Sequence, residues 1–258
     1  MHAALIGHTG FVGSNLLRQT TFEDCYNSAN IHEICGREFD LLVCAGVIAT
    51  KWWANQNAAE DRARIQTLLE CLGAVRCGRV VVISTIDVYP VISGVDERYD
   101  CRSRPNHPYG TNRLEFEEAV RALFPQVAVA RVAGVFGPGL KKNVIYDLLH
   151  ENGLDAINPA SSFQYYNISN LWRDLGRAEE AGIDTVNFVS PPLRTGEIIE
   201  RFFPGTVVGR TAGPEVHYDV RTIHSDRFGG PPGYTERTDQ LMTELEAFVE
   251  QEKSAPRL

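Results

Sequence analysis

The stretch that decides the fold is "HAALIGHTGFVGSNLL" (residues 2–17). It begins with a short apolar run that ends at Gly7, and from Phe11 onward the apolar residues take up helical spacing. Between the two, Gly7, Gly10 and Gly13 follow a GxxGxxG pattern. A strand, a glycine turn and a helix in this order predict a βα unit whose turn lets the backbone approach a pyrophosphate. A plain tight turn is the alternative interpretation.

The rest of the chain repeats this alternation of strand and helix. Apolar runs typical of buried parallel strands occur at 39–46, 79–85, 126–132 and 184–190, and a weaker candidate, "EDCYN", at 23–27. Helical spacing covers about 55–75, 109–123, 143–151 and 168–181, and an amphipathic tail covers 235–251. The pattern predicts an α/β fold, a Rossmann-like doubly wound parallel sheet.

After residue 134 the pattern loosens into turn-rich stretches such as "GVFGPGLKKN" (134–143). We expect a single domain over residues 1–258, in which the Rossmann-like core carries a small C-terminal substrate lobe. That lobe is expected to come mainly from about 138–170 and 190–235.

Composition excludes several classes of protein. A net charge of −8 argues against a broad nucleic-acid surface, which requires clustered Lys and Arg. The six cysteines are scattered without CxxC or paired Cys/His spacing, which predicts reduced thiols and no metal site. No apolar run reaches the roughly 18 residues of a membrane span. With glycine-rich sequence beginning at Gly7 we expect no cleavable leader and a cytoplasmic protein.

Two further segments carry candidate chemistry. "VVVISTIDVYP" (80–90) places Thr85 four residues before Tyr89, and "HPYGTNR" (107–113) places Tyr109 four residues before Arg113. On a helix, residues four apart share a face. A phenol beside a permanent cation is a candidate proton-transfer pair, although an ordinary surface pair has the same spacing.

With "ARVAGVFGPG" (130–139) and "FQYYNISNL" (163–171), these segments resemble, in the same order, landmarks of the extended short-chain dehydrogenase/reductase family, NAD-dependent epimerase/dehydratase type. The resemblance covers nearly the whole chain, and no single motif carries it alone. It implies an enzyme that uses NAD or NADP on a nucleotide-activated sugar. In this comparison Tyr109 matches the general acid/base, and Thr85 matches the hydroxyl that bonds the reacting sugar oxygen.

Arg113 stands where the family has a lysine that assists the tyrosine and binds the nicotinamide ribose. A guanidinium keeps the charge, but its planar fork differs in shape from an ammonium. Three interpretations remain: a working substitute, a slower enzyme, or a binding protein that has lost catalysis. We expect Thr85, Tyr109 and Arg113 to be the catalytic residues.

The resemblance also implies a set of cofactor-binding residues. An acid after the second strand would favour NAD, but "YNSAN" (26–30) contains none, so the choice between NAD and NADP stays open. The expected contacts are Gly7, His8, Thr9, Gly10, Phe11, Val12, Gly13, Asn27, Ser28, Cys44, Ala45, Gly46, Ser84, Tyr109, Arg113 and Val132.

The substrate side is expected to use Thr85, Asp87, Gly134, Asn143, Val144 and Gln164. Asp87 occupies a position that is often acidic in dehydratases and decarboxylases of the family. Ile86 stands where many dehydratases have an aspartate, which favours epimerase or reductase chemistry. Gln164 replaces an arginine that often binds the pyrophosphate of the substrate.

We therefore expect C4 epimerisation of a nucleotide-sugar through a transient keto-sugar, with reduction of a 4-keto-sugar as the close variant. The alternatives are a non-catalytic NAD(P)-binding or regulatory protein and a reductase of a non-nucleotide carbonyl compound. The resemblance further implies a homodimer in which the Tyr109 helix takes part in a four-helix interface.

Overall fold

The computed structural model describes residues 1–255, and a parallel sheet of six strands forms its centre. The strands are β1 (Ala3–Ile6), β2 (Asp24–Tyr26), β3 (Glu38–Cys44), β4 (Arg76–Thr85), β5 (Ser93–Val95), β6 (Val127–Val132), β7 (Gly134–Phe136), β8 (Ser162–Phe163), β9 (Tyr165–Asn167), β10 (Thr185–Phe188), β11 (Leu193–Arg194) and β12 (Asp219–Val220). The helices are α1 (Phe11–Leu16), α2 (Lys51–Gln56), α3 (Ala58–Leu72), α4 (Pro108–Leu123), α5 (Val144–His150), α6 (Leu171–Glu180), α7 (Thr195–Phe202), α8 (Ser225–Phe228) and α9 (Thr238–Ser254).

The strand order in the sheet is β10-β6-β4-β3-β1-β2, and every neighbouring pair is parallel. The chain reverses its direction of travel across the sheet between β1 and β3, and ligands of open α/β sheets bind in the crevice at such a switch point. This confirms the predicted doubly wound sheet, including the weakly marked strand at 23–27. One side of the switch point holds only β1 and β2, because residues 27–37 contain just a 3-10 turn (Ile31–Ile34) before β3 begins.

Helices cover both faces of the sheet, which explains the continuous apolar runs of its strands. On one face Ile6 and Leu42 pack in a cluster with Leu72 of α3 and Phe116 of α4. On the other face Leu5, Val43 and Val81 share a cluster with residues of α1 and α6, among them Leu16 and Leu175. Successive strand residues point to opposite faces, so each strand contributes to both clusters.

A separate apolar cluster holds together the part of the chain beyond the sheet. It combines residues of β7, α5, β9, α7 and α9, including Phe136, Ile145, Tyr165, Ile198 and Leu241. The predicted apolar stripe of the C-terminal helix is confirmed, since Leu241, Leu245 and Phe248 are all buried in this cluster. None of the helices in residues 1–255 combines the length and the apolar character needed to cross a membrane.

A buried carboxyl beside α9 makes stability depend on pH. Burial, with Glu244 and Asp174 nearby, raises the pKa of Glu236 to about 8, and its Oε2 has no hydrogen-bond partner. The folded state therefore holds this proton longer than the unfolded chain, and stability falls as pH rises from about 4.5 toward 8.

We expect Glu236→Gln to remove this pH dependence while keeping the shape of the side chain. The variant should be more stable than the parent at pH near 8 by about 1–3 kcal/mol and nearly equal to it at pH near 4. Urea unfolding at the two pH values measures the difference. An equal difference in the free energy of unfolding between variant and parent at both pH values would show that Glu236 is not the titrating group.

Candidate active site

The glycine loop between β1 and α1 lies at the switch point of the sheet. Gly7 has a φ of 88°, its N–H donates to Tyr26 O at 2.7 Å, and its carbonyl accepts from Gly10 N at 2.9 Å. A Cβ on Gly7 would lie 2.4 Å from the Ala45 carbonyl oxygen, so the loop touches the segment after β3. A Cβ on Gly13 would lie 2.2 Å from Gly7 O. Two of the three glycines are thus required by close approach of backbone to backbone.

We expect Gly13→Ala to destabilise the protein by about 1–3 kcal/mol and to abolish cofactor binding, because the loop must move to admit the methyl group. Gly10→Ala is the matched control: its Cβ would lie 3.2 Å from Gly7 O, a contact that a small shift relieves. Fluorescence titration with NADH and NADPH and urea unfolding measure the two effects. Equal behaviour of both variants would contradict this account of the loop.

The residues predicted to meet the adenosine half of a dinucleotide gather at the end of β1 and β2. His8 Nε2 lies 3.1 Å from Asn27 Nδ2, and Asn27 Oδ1 accepts from Ala29 N at 2.8 Å. Ser28, Thr9 and Gly10 are exposed, whereas Phe11 and Val12 pack against the α1–α6 cluster. Ala45 and Gly46 adjoin Gly7 across the switch point.

The side chains of three other predicted cofactor residues are buried or hydrogen-bonded inside the protein. Cys44 is buried in the core, and burial raises the pKa of its thiol to about 11. Val132 is buried in the opposite cluster. Ser84 donates its hydroxyl to Glu117, which also pairs with Arg131 at 2.6 Å. Only the backbone of these three positions is left to line a crevice.

Tyr109 lies in the first turn of α4, where local chemistry fixes its position. His107 caps the helix, with Nδ1 accepting from Gly110 N at 3.0 Å, and Pro108 is the first helical residue. Tyr109 N donates to Asn55 Oδ1 at 2.9 Å. Burial raises the pKa of Tyr109 to about 12, against the opposing effects of Arg113 and of the nearby Thr85 hydroxyl. The structure therefore brings Tyr109 and Thr85 together.

Arg113 stacks on the ring of Tyr109, with Cζ 4.1 Å from the ring centroid. Its guanidinium is 4% exposed and forms a two-pronged ion pair with Asp61 of α3, in which Nη2 lies 2.8 Å from Oδ1. Nη2 also donates to the carbonyl of Ile48, and Nη1 to that of Tyr109. The charge of Arg113 is thus compensated within the protein, and its donors are directed at protein oxygens.

A triad that the sequence did not reveal surrounds Asp87. Lys51 Nζ lies 2.7 Å from Asp87 Oδ1 and 3.1 Å from the Tyr218 hydroxyl, which itself donates to Asp87 Oδ1 at 2.9 Å. Asp87 N donates to Thr85 Oγ1 at 3.1 Å, which ties the triad to the catalytic candidates. Partial burial opposes the charge of Lys51, but Asp87 and Tyr218 outweigh it and raise the pKa of Lys51. The one available signal was that Lys51 is among only four lysines in the chain.

The remaining predicted substrate residues mainly build the lobe. Gln164 is 2% exposed; its Nε2 donates to Ser190 O at 2.6 Å and to Val220 O at 2.8 Å, and its Oε1 accepts from Val220 N at 2.8 Å. Gly134 N donates to Gln164 O at 3.1 Å. Val144 packs against the lobe cluster. All three hydrogen bonds of the Gln164 amide are thus made to backbone groups of the protein.

Asn143 combines a capping role with an unusual backbone. Its Oδ1 accepts from Tyr146 N at 3.1 Å at the start of α5, and its Nδ2 donates to Val135 O at 2.9 Å. Its φ is 125°, a conformation that favours glycine. Backbone strain of this kind concentrates at functional sites, and here the two side-chain hydrogen bonds hold it in place.

Comparison with known proteins shows the family to which the chain belongs. The model of the NAD dependent epimerase/dehydratase family matches residues 21–181, more than half of the chain. The protein belongs to that family, and the resemblance predicted from its sequence is confirmed, together with the class of enzyme that it implied. No curated protein sequence matches the chain significantly.

Solved structures share the fold over almost the whole chain. RMD from Pseudomonas aeruginosa complexed with NADPH has 18% identity and a TM-score of 0.74, covering 99% of this chain and 100% of that one. The DesIV double mutant, a dTDP-glucose 4,6-dehydratase from Streptomyces venezuelae with NAD and DAU bound, has 18% identity and a TM-score of 0.74, covering 98% and 97%. A dTDP-4-dehydrorhamnose reductase from Clostridium acetobutylicum has 13% identity and a TM-score of 0.70, covering 97% and 99%. At these identities the similarity shows the fold.

Proposed function

We propose that the protein modifies a nucleotide-sugar with NAD or NADP, most simply by C4 epimerisation through a transient keto-sugar, with 4-keto reduction as the close variant. One observation carries the proposal: the first turn of α4, which holds Tyr109, packs against the segment that follows Thr85 at the carboxyl end of β4, so closely that a Cβ on Gly110 would lie 2.1 Å from Asp87 O. This edge of the sheet also carries the glycine loop at the switch point. Solved structures that share the fold, with NADPH or with NAD bound, support the same assignment.

The crevice at the switch point fits a dinucleotide. Gly7 and Gly13 keep the loop compact, so that its backbone can face a pyrophosphate, and Ala45 and Gly46 leave room beside it. His8 and Asn27, whose side chains lie 3.1 Å apart, would contact the adenosine ribose. A bound nicotinamide would supply the hydride acceptor and donor for a sugar carbon.

The protein's own contribution is to move a proton at Tyr109 Oη. Tyr109 takes the proton from the reacting sugar hydroxyl and later gives it back, and Thr85 Oγ1 orients that hydroxyl. With a pKa of about 12, a free phenolate at neutral pH would cost about 7 kcal/mol. Because only the phenolate can take the sugar proton, positive charge at the site must lower this cost.

The surroundings of Asp87 favour epimerisation or reduction over dehydration. Dehydration needs extra acid and base groups beside the tyrosine, and Ile86 supplies none. Asp87 Oδ1 is already occupied by Lys51 and Tyr218. An epimerase needs only the proton shuttle and rotation of the keto intermediate, which this set of residues can provide.

The test is incubation of the purified protein with UDP-, dTDP-, GDP- and CDP-sugars, with NAD, NADH and NADPH, followed by NMR of the products. Inversion at C4 without net redox change supports the epimerase, and consumption of NADPH with a 4-keto-sugar supports the reductase. Absence of reaction and of binding across the panel would refute the nucleotide-sugar assignment.

A second candidate function is a non-catalytic NAD(P)-binding or regulatory protein. The observation that favours it is the compensation of Arg113 by Asp61, which leaves the motif cation without a free charge. This candidate expects a cofactor to bind, shown by fluorescence or by mass spectrometry, while no sugar-nucleotide or other carbonyl substrate turns over.

We also propose a homodimer that forms through the outer faces of α3 and α4. These helices pack side by side, and an exposed ion pair, Arg62–Glu115 at 2.6 Å, joins them on the surface. Size-exclusion chromatography with light scattering measures the assembly state, and a mass equal to that of one chain would contradict the proposal.

A further inference from the structure

The cation of the Tyr109 motif has no free terminal donor. The two terminal nitrogens of Arg113 carry four N–H groups, and four protein oxygens accept from them: both oxygens of Asp61 and the carbonyls of Ile48 and Tyr109. The side chain of Arg113 is 5% exposed, and the side chain of its ion-pair partner Asp61 is 2% exposed. The terminal nitrogens of Arg113 therefore have no N–H group left for a ligand oxygen beside Tyr109.

Lys51 has a free N–H donor, which the terminal nitrogens of Arg113 lack. Its ammonium carries three N–H groups, of which Asp87 Oδ1 and the Tyr218 hydroxyl accept two. The side chain is 38% exposed, so the third N–H can reach a ligand. The two contacts come from the loop after β4 and from the segment before β12, and together they hold a flexible side chain in one place.

Lys51 is also close enough to act on the catalytic phenol. Burial raises the pKa of Tyr109, and the charge of Lys51 is among the groups that lower it. The same charge helps burial to lower the pKa of His107, the cap of the Tyr109 helix. Since Lys51 binds Asp87 Oδ1 at 2.7 Å and Asp87 N donates to Thr85 Oγ1 at 3.1 Å, Lys51 belongs to the same site as Thr85 and Tyr109.

We propose that Lys51 is the ammonium of the reaction centre. It donates its third N–H to a hydroxyl or carbonyl oxygen of the bound ligand beside Tyr109, and its charge stabilises the negative charge that develops there. Asp87 and Tyr218 are positioning residues for Lys51. The ammonium keeps all its protons, so the proton balance of the Tyr109 shuttle is unchanged. The inference rests on the proposed function for the identity of the ligand.

The first test needs no substrate. Ultraviolet titration of tyrosinate, with and without Tyr109→Phe in each background, isolates the ionisation of Tyr109. Asp87→Asn should lower the pKa of Tyr109 below about 12, because an anion is removed and Lys51 is left uncompensated. Adding Lys51→Met to Asp87→Asn should raise it again by about one unit. The same pKa in both backgrounds would overturn the proposal, provided that circular dichroism shows both variants folded.

The second test uses a nucleotide-sugar that the panel identifies. Lys51→Met should lower kcat at least about tenfold and move the limb of the pH profile on which the rate rises with pH to higher pH, while Lys51→Arg restores part of the rate. Tyr218→Phe should move the profile in the same direction by less. Lys253→Met is the matched control, because that lysine contacts Phe202 and Phe203 in the lobe. An unchanged kcat and pH profile in Lys51→Met would overturn the proposal. If no sugar turns over, the proposed function fails, while the titration still decides the role of Lys51.

Discussion

Tyr109→Phe is expected to lower kcat by roughly 10²–10⁴-fold, the usual contribution of a positioned acid–base group. The phenylalanine keeps the buried ring and its stacking with Arg113, so the dissociation constant for NADH or NADPH should change little. Steady-state kinetics with a reactive nucleotide-sugar and fluorescence titration of the cofactor measure the two quantities.

The matched control is Tyr99→Phe. The Tyr99 hydroxyl accepts only from Ser103 on an exposed loop, so its loss should leave kcat unchanged. If Tyr109→Phe kept more than about half of the parent rate, Tyr109 would be a helix-start aromatic and no proton shuttle. If it lost cofactor binding together with turnover, the residue would be structural.

Asp61→Ala is expected to destabilise the fold by about 3–5 kcal/mol, because it leaves the guanidinium of Arg113 buried without a counter-charge. It also removes an acceptor from Asn112, whose Nδ2 donates to Asp61 Oδ2 at 2.7 Å. Urea unfolding measures the loss. Glu60→Ala is the matched control one residue earlier, since the Glu60–Arg64 pair is more than half exposed and is worth at most about 1 kcal/mol.

Restoring the balance of charge should recover much of this stability. The double variant Asp61→Ala/Arg113→Met removes both ions, and its free energy of unfolding should lie well above that of Asp61→Ala alone. A double variant as unstable as the sum of the two single variants would show that the ion pair is not the cause.

The fold could be predicted from the sequence because each strand and helix signals itself locally. The glycine turn at 7–13 marks the passage from a strand to a helix. The apolar runs at 39–46, 79–85 and 126–132 have the length of buried strands, and the structure confirms these strands. Helix α2 is absent from the prediction because its six residues are too few to show a helical period.

The site could be predicted only where its residues are close together along the chain. Thr85 and Tyr109 follow from motif spacing, but the partner of Arg113 lies 52 residues earlier, on another helix. Tyr218 meets Asp87 across 131 residues and Lys51 across 167. Neither period nor spacing shows which acid will meet which base when helices and loops pack, so these contacts required the structure. Gln164 shows the converse: its place in a motif suggested a ligand contact, whereas its amide joins three backbone groups inside the lobe.

The short side of the sheet has a consequence for how the protein avoids aggregation. With no strand beyond it, β2 is an exposed edge to which another chain could add. That edge is only three residues long and begins at Asp24, which pairs with Arg37 at 2.9 Å and contacts His2 at 2.7 Å. Shortness and charge are the two ways in which natural sheets discourage edge-to-edge pairing. An edge strand this short and charged is therefore a poor template for another copy of the chain.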